Sequence, residues 1–162
     1  MVCLALLSLV LFWAGTTFAA TNSVPSKELL PQQLELFWGG LPGLNTCSVQ
    51  WDGKSLAYEQ TYRAKKTKAD INPSDQQWQR FWKQMDEVNV WSWQKRYDNP
   101  DVMDGMVWHV KMGLGTNRVE TYGSNAYPGN TETNRSDINP SKLFMQYQAA
   151  VEELIGRKLW AH

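Results

Sequence analysis

The sequence predicts a two-layer α+β domain in which an antiparallel sheet packs against two amphipathic helices, in the order βββαβββα. Three observations predict this class. Short runs of alternating apolar residues are typical of strands, two longer runs repeat their apolar residues at helical spacing, and the connections between strands are short enough for hairpins. The chain has 162 residues, which suits one domain and is short for two.

The clearest local element is a hairpin around Asp52-Gly53, which joins two β-rich runs, CSVQW and KSLAYEQTY. Asp-Gly favours a type I′ turn, in which both central residues have positive φ. A two-residue loop of this kind would place Val49 opposite Leu56, with the apolar residues of both strands on one face. A further strand is predicted before the hairpin, over residues 34–38, where two glycines follow it.

Each helix is predicted to follow the same pentapeptide, DINPS, found at residues 70–74 and 137–141. Asn is a preferred N-cap and Pro is favoured at the first helical position, so we expect Asn72 and Asn139 to cap the two helices. Gly156 is expected to end the second helix. The apolar stripes consist of Trp78, Phe81, Trp82, Met85 and Val88 in the first helix and Leu143, Phe144, Tyr147, Val151, Leu154 and Ile155 in the second.

Three strands are predicted between the helices, over residues 90–97, 106–113 and 118–122. A basic stretch, residues 63–68, is expected to connect the third strand to the first helix. Each half of the chain would then consist of three strands, DINPS and a helix. An internal duplication is therefore a further hypothesis.

The first nineteen residues are uncharged and largely apolar, with a length typical of a signal peptide. Thr17 and Ala19 place small residues at positions −3 and −1 of a cleavage site after Ala19. Residues 20–33 are polar, contain two prolines and are expected to be a linker before a single domain over residues 34–160. We therefore expect a secreted or periplasmic protein, attached to a membrane only if the N-terminal segment stays uncleaved.

The composition disfavours several classes of partner and cofactor. Sixteen basic residues balance sixteen acidic ones, so nothing indicates a nucleic acid partner. After cleavage Cys47 would be the only cysteine, which excludes an intramolecular disulfide and suits a small core residue. The chain has two histidines and no motif for zinc, phosphate or a nucleophile elbow, so we expect no cofactor.

Candidate ligand-binding residues come from a long polar loop, residues 123–130, and from two tryptophans that fall on no clear apolar stripe. Eight of the nine tryptophans follow the predicted signal peptide, and most of these share stripes with other apolar residues, which is typical of a core. The candidates are Gly123, Ser124, Asn125, Tyr127, Trp38 and Trp160.

Asp98, Asp101 and Asp104 are weak candidates for a metal site. They are spaced three apart, whereas calcium loops of the EF-hand type space carboxylates two apart. Asn-Pro and Asp-Gly pairs in the same stretch are common in ordinary turns, so we expect turns and no metal here.

Trp91-Ser92-Trp93, Asp104-Gly105 followed by Trp108, and the run YGSNAYP together resemble a pattern in small uncharacterised bacterial proteins. The resemblance covers about the last two-thirds of the chain. It implies a bacterial source and carries no known activity.

These observations favour an exported, non-enzymatic domain that binds a protein or another envelope component. The alternative is a carbohydrate-binding module that uses exposed tryptophans and the 123–130 loop. A hydrolase that uses Asp98, Asp101 and Asp104 ranks lowest, because no catalytic arrangement of residues stands out.

Overall fold

A computed structural model describes residues 27–40, 45–130 and 139–159, and it confirms the α+β class. The predicted signal peptide and Trp160 lie outside the described residues. The elements are β1 (Gln33–Gly39), β2 (Thr46–Trp51), β3 (Leu56–Tyr62), β4 (Lys65–Ile71), α1 (Asp75–Glu87), a 3₁₀ turn (Val90–Ser92), β5 (Arg96–Asp98), β6 (Val107–Leu114), β7 (Asn117–Ser124) and α2 (Lys142–Ile155).

The seven strands form one sheet in the order β4-β3-β2-β1-β6-β7-β5, and every pair is antiparallel except β5 with β7. Alternation along the strands buries one face, which we call the inner face, against the two helices. Leu36, Val49 and Val110 lie on this inner face and are almost fully buried. The opposite face, the outer face, keeps half-buried and exposed side chains along the same strands.

The core is rich in aromatic rings. Trp78 stacks on Trp82 at 5.7 Å between ring centroids, and Trp38 and Trp108 are also buried. The prediction that most tryptophans belong to the core is therefore confirmed for Trp78, Trp82 and Trp108. No helix in the described part of the chain is long and apolar enough to cross a membrane.

Both DINPS segments begin a helix, but the caps are the serines and the prediction of Asn72 and Asn139 is wrong. Ser74 Oγ accepts the Gln77 N–H at 3.3 Å, and Gln77 Oε1 accepts the Ser74 N–H at 3.0 Å. This reciprocal pair is a capping box. Ser141 Oγ likewise accepts the backbone N–H of the residue three positions later at 3.0 Å.

In the described part of the chain four strands precede α1, because the basic stretch predicted as a connection is β4. A two-residue turn at Arg63 and Ala64, with φ values of 47° and 66°, joins β4 to β3. At the other end of α2 the predicted stop is confirmed, since Gly156 has a φ of 63°.

The hairpin at Asp52 has a four-residue loop, so its predicted register is wrong by two residues. The Asp52 carboxylate accepts the N–H groups of Lys54 and Ser55 at 2.8 and 2.7 Å, which widens the turn. Val49 consequently pairs with Tyr58 instead of Leu56. A shift of two keeps every side chain on its predicted face, and the apolar residues still point inward.

The stretch predicted as a strand over residues 90–97 is a 3₁₀ turn followed by the short β5. The first half of the chain therefore supplies a four-stranded meander, whereas the second supplies β6, β7 and a parallel edge strand. The two halves do not repeat one strand order, and this topology gives the duplication hypothesis no support.

Candidate functional site

The loop from residue 123 packs largely into the protein. Gly123 lies beneath the indole of Trp108, where an added Cβ would stand 2.1 Å from Nε1. Tyr127 is 2% exposed and stacks on Trp108 at 6.5 Å between centroids. These two candidates present no accessible polar group to a ligand.

Asn125 holds the neighbouring loop in place. Its Oδ1 accepts the Met106 N–H at 2.9 Å and its Nδ2 donates to the Val102 carbonyl at 3.2 Å. The residue is buried and adopts a φ of 53°, a left-handed conformation that asparagine tolerates. Of the four loop candidates only Ser124 stays half-buried, at the margin of the outer face.

Trp38 is completely buried, and its ring contacts Tyr147 at 5.9 Å between centroids. Trp38, which falls on no clear apolar stripe in the sequence, therefore belongs to the core and offers no surface to a ligand, because β1 is the central strand and Trp38 points to its inner face. Trp160, the other tryptophan proposed to contact a glycan, is not among the described residues.

The three aspartates form no metal cluster. Asp98 pairs with Arg96 on the exposed edge strand, while Asp101 donates its backbone N–H to Asn99 Oδ1 at 3.2 Å in a turn. Across residues 27–40, 45–130 and 139–159, no group of three histidine, cysteine, aspartate or glutamate side chains could hold a metal ion.

A different group of side chains comes together on the outer face. Cross-strand pairing aligns Phe37 on β1, His109 on β6 and Tyr122 on β7. The His109 and Tyr122 rings stack at 4.3 Å with an angle of 5° between their planes. We call these three side chains the aromatic row.

A shallow hollow of about 310 Å³ runs beside the aromatic row. Val107 adds an apolar side chain that is 40% exposed, and Tyr122 is 42% exposed. Arg96 and Asp98 line one end of the hollow as an ion pair. The hollow therefore has apolar walls and a charged end.

The electrostatics around His109 favour its neutral form. Burial lowers the pKa of His109 below its ordinary value, and Lys111 adds to this effect, whereas Glu120 and Glu35 oppose it. His109 Nε2 is buried and has no hydrogen-bond partner among the residues that the structure describes. Tyr122 donates its hydroxyl proton to Glu120 at 2.7 Å, which fixes one side of the stack.

The described residues offer no activated nucleophile beside this hollow. Cys47 lies on the inner face, where burial raises the pKa of its thiol to about 12. A thiol with so high a pKa is protonated at neutral pH and is a weak nucleophile.

The sequence interpretation missed the aromatic row. The alternation of β6 separates the face of His109 from the face of Trp108, but the neighbours of His109 come from β1 and β7. Pairing between β1 and β6 joins segments that lie far apart in the chain, and no local pattern reports it.

The chain matches no protein-family model, no curated protein and no solved structure.

Proposed function

We propose that the protein is an exported binding domain that engages a protein partner through the outer face of its sheet, at the hollow beside the aromatic row. The observation that carries the proposal is the exposure of Tyr122 and Val107 at 42% and 40% on a face that neither helix covers. Apolar side chains that stay grouped and exposed are typical of interaction surfaces. Export is supported by the apolar, uncharged first nineteen residues.

The composition of the hollow favours a protein partner. Tyrosine and arginine are enriched in protein interfaces, and a polar rim around apolar contacts is the usual arrangement there. Tyr122 supplies the aromatic contact, while the Arg96–Asp98 and Lys111–Glu120 ion pairs supply the rim.

The same geometry leaves at most one face of His109 and one face of Tyr122 for a sugar to stack on. The rings of His109 and Tyr122 lie 4.3 Å apart and nearly parallel, so each covers one face of the other. A sugar stacks on an open ring face, and Trp38, a tryptophan expected to offer one, is fully buried.

Site-specific photo-crosslinking tests the proposal. A photoreactive residue replaces Arg96 at the end of the hollow and, as a control, Lys142, which is exposed at the start of α2 on the helical side. Incubation with an envelope fraction should yield a protein adduct from position 96 and none from position 142. Excess wild-type protein should abolish the adduct, whereas the double variant V107E/Y122A should not.

Two results would contradict the proposal. The first is equal crosslinking from both positions. The second is an adduct that protease leaves intact and glycosidase removes, which would favour the carbohydrate-binding alternative. Tryptophan fluorescence titrated with glycan fragments provides an independent check, and no change is expected.

A further inference from the structure

Strand β4 is the longer of the two open edges of the sheet. It has seven residues and, in the described part of the chain, pairs only with β3, from Leu56 opposite Ile71 to Tyr62 opposite Lys65. The other edge strand, β5, has only three residues. An edge strand leaves a row of backbone N–H and C=O groups that can pair with an added strand.

This edge is strongly basic. Between residues 63 and 71 the chain carries four basic residues, Arg63, Lys65, Lys66 and Lys68, and one acidic residue, Asp70. Glu59 on β3 forms ion pairs with both Lys66 and Lys68, so a single carboxylate balances only part of the charge of two ammonium groups. Among the described residues no carboxylate pairs with Arg63 or Lys65.

The charge selects the kind of strand that can be added. Lysines on an edge strand oppose pairing with another basic strand, since like charges placed directly opposite are destabilising. Two copies of β4 would bring six basic and two acidic residues together, because each contributes Lys65, Lys66, Lys68 and Asp70. An acidic strand would instead place opposite charges across the new ladder.

The alternation along β4 specifies the rest of the pattern. Lys66 and Lys68 lie on the outer face, opposite Thr61 and Glu59. Ala69 and Ile71 lie on the inner face, where both are half-buried and pack against the core. Asp70 shares the outer face with the two lysines. An added strand would therefore need acidic residues opposite Lys66 and Lys68, an uncharged or basic residue opposite Asp70, and apolar residues opposite Ala69 and Ile71.

We propose that β4 accepts an extended acidic segment of a protein partner as an eighth strand. Its carboxylates lie opposite Lys66 and Lys68, and its apolar side chains extend the inner face beside Ala69 and Ile71. Backbone hydrogen bonds supply affinity, and the charges supply selectivity. This inference rests on the proposed protein-binding function, but it uses residues that the hollow beside the aromatic row does not.

Fluorescence anisotropy tests the proposal on the full chain at low salt. The probe is a labelled seven-residue peptide that alternates valine with polar residues, with glutamates to face Lys66 and Lys68 and a serine to face Asp70. We expect saturable binding that weakens about tenfold in K66E/K68E, because two cross-strand attractions become repulsions. K66Q/K68Q should weaken binding less. K95E/K142E makes the same change in net charge at exposed residues elsewhere and should leave binding unchanged. Thermal unfolding of each variant checks that it folds.

A second peptide separates strand addition from charge attraction. The same sequence methylated at every backbone nitrogen keeps its carboxylates but cannot donate to the edge of β4, and it should not bind. In amide hydrogen exchange, the unmethylated peptide should protect β4 and leave β5 unaffected. Equal binding of both peptides, or equal weakening by K95E/K142E, would overturn the proposal.

The two proposals fail separately. If a crosslinked partner is lost from V107E/Y122A but retained by K66E/K68E, and the peptide does not bind, strand addition at β4 is wrong and the proposed function stands. If the peptide binds through β4 while no protein crosslinks from position 96, the proposed binding of a partner at the outer-face hollow is wrong, and strand addition at β4 is still supported.

Discussion

Trp108 and Gly123 show at the scale of single residues how the loop after β7 became part of the core. Trp108 Nε1 donates to the Ala126 carbonyl at 2.9 Å, and its ring occupies the space that a side chain at position 123 would need. An aromatic ring that covers a strand glycine shields the exposed backbone and compensates for the missing side chain. Position 123 therefore requires glycine, because the Trp108 ring leaves no room for a side chain there.

We expect Gly123→Ala to lower the free energy of unfolding by about 2–3 kcal/mol, since the added Cβ forces a buried ring to move. Urea unfolding followed by tryptophan fluorescence measures the change. Gly40→Ala is the matched control, because the nearest atom of the described residues to its Cβ would be the Gly105 carbonyl oxygen at 3.8 Å. Equal unfolding midpoints for the two variants would contradict the packing described for Trp108.

His109 gives the outer face a dependence on pH. Because burial holds the pKa of His109 below its ordinary 6.5, the unfolded chain takes up a proton at higher pH than the folded chain. Stability should therefore fall as pH decreases through about 6.5 towards the lowered folded pKa. Urea midpoints at pH 7.5 and 5.5 should separate more in the wild type than in His109→Gln. The same loss in both proteins would assign the effect to other groups.

At the scale of elements, the two DINPS segments show how a helix start is chosen. The sequence offers Asn and Ser two residues apart, and both are good caps. Ser74 is selected because Gln77 stands three residues later and completes a capping box. Asn72 then lies outside the helix, as an exposed residue between β4 and α1.

Ser74→Ala should destabilise the protein by about 1 kcal/mol, the usual cost of losing a serine cap. Asn72→Ala should change stability by less than about 0.5 kcal/mol, as is usual for exposed positions. Thermal unfolding with circular dichroism at 222 nm compares the two variants with the wild type. A larger loss of stability from Asn72→Ala than from Ser74→Ala would show that Asn72 is the N-cap.

Element types were predictable where the pattern was local, and registers were not. Helical stripes and alternating strands each lie within about a dozen residues, which periodicity detects well. β4 was missed because an edge strand buries little, and only Ala69 and Ile71 interrupt its charged and polar residues. The Asp52 turn was misassigned because its carboxylate bonds two backbone N–H groups, which outweighs the preference of Asp-Gly for a two-residue loop.

The candidate site depended on longer-range information. Phe37, His109 and Tyr122 come from three strands, and their alignment follows from the pairing of β1 with β6. The candidates chosen from the sequence were polar loop residues, which commonly bind ligands. Here Asn125 hydrogen-bonds to backbone groups of the neighbouring loop, and the Trp108 ring covers Gly123. These residues therefore stabilise the packing of the loop.

At the scale of the whole molecule, the helices cover only the inner face, and Cys47 lies there on β2, between Trp38 of β1 and Gln60 of β3. Its side chain has no exposed surface and the pKa of its thiol is about 12. A reagent can reach this sulfur only if the helices leave the sheet. Since the helices and the inner face form one core, that opening should amount to unfolding of the domain.

Alkylation of Cys47 should therefore report global stability. At pH 8 we expect labelling at least about 10³-fold slower than in the urea-unfolded chain, which matches the stability of an ordinary domain. Mass spectrometry of the peptide containing Cys47 separates it from Cys3, and a Lys142→Cys variant provides an exposed control that labels at the unfolded rate. Low urea should accelerate Cys47 labelling with the slope found at equilibrium, because the same surface is exposed in both experiments. A labelling rate that does not change with urea concentration would instead show that α2 separates locally from the sheet. The two layers would then not unfold as a unit.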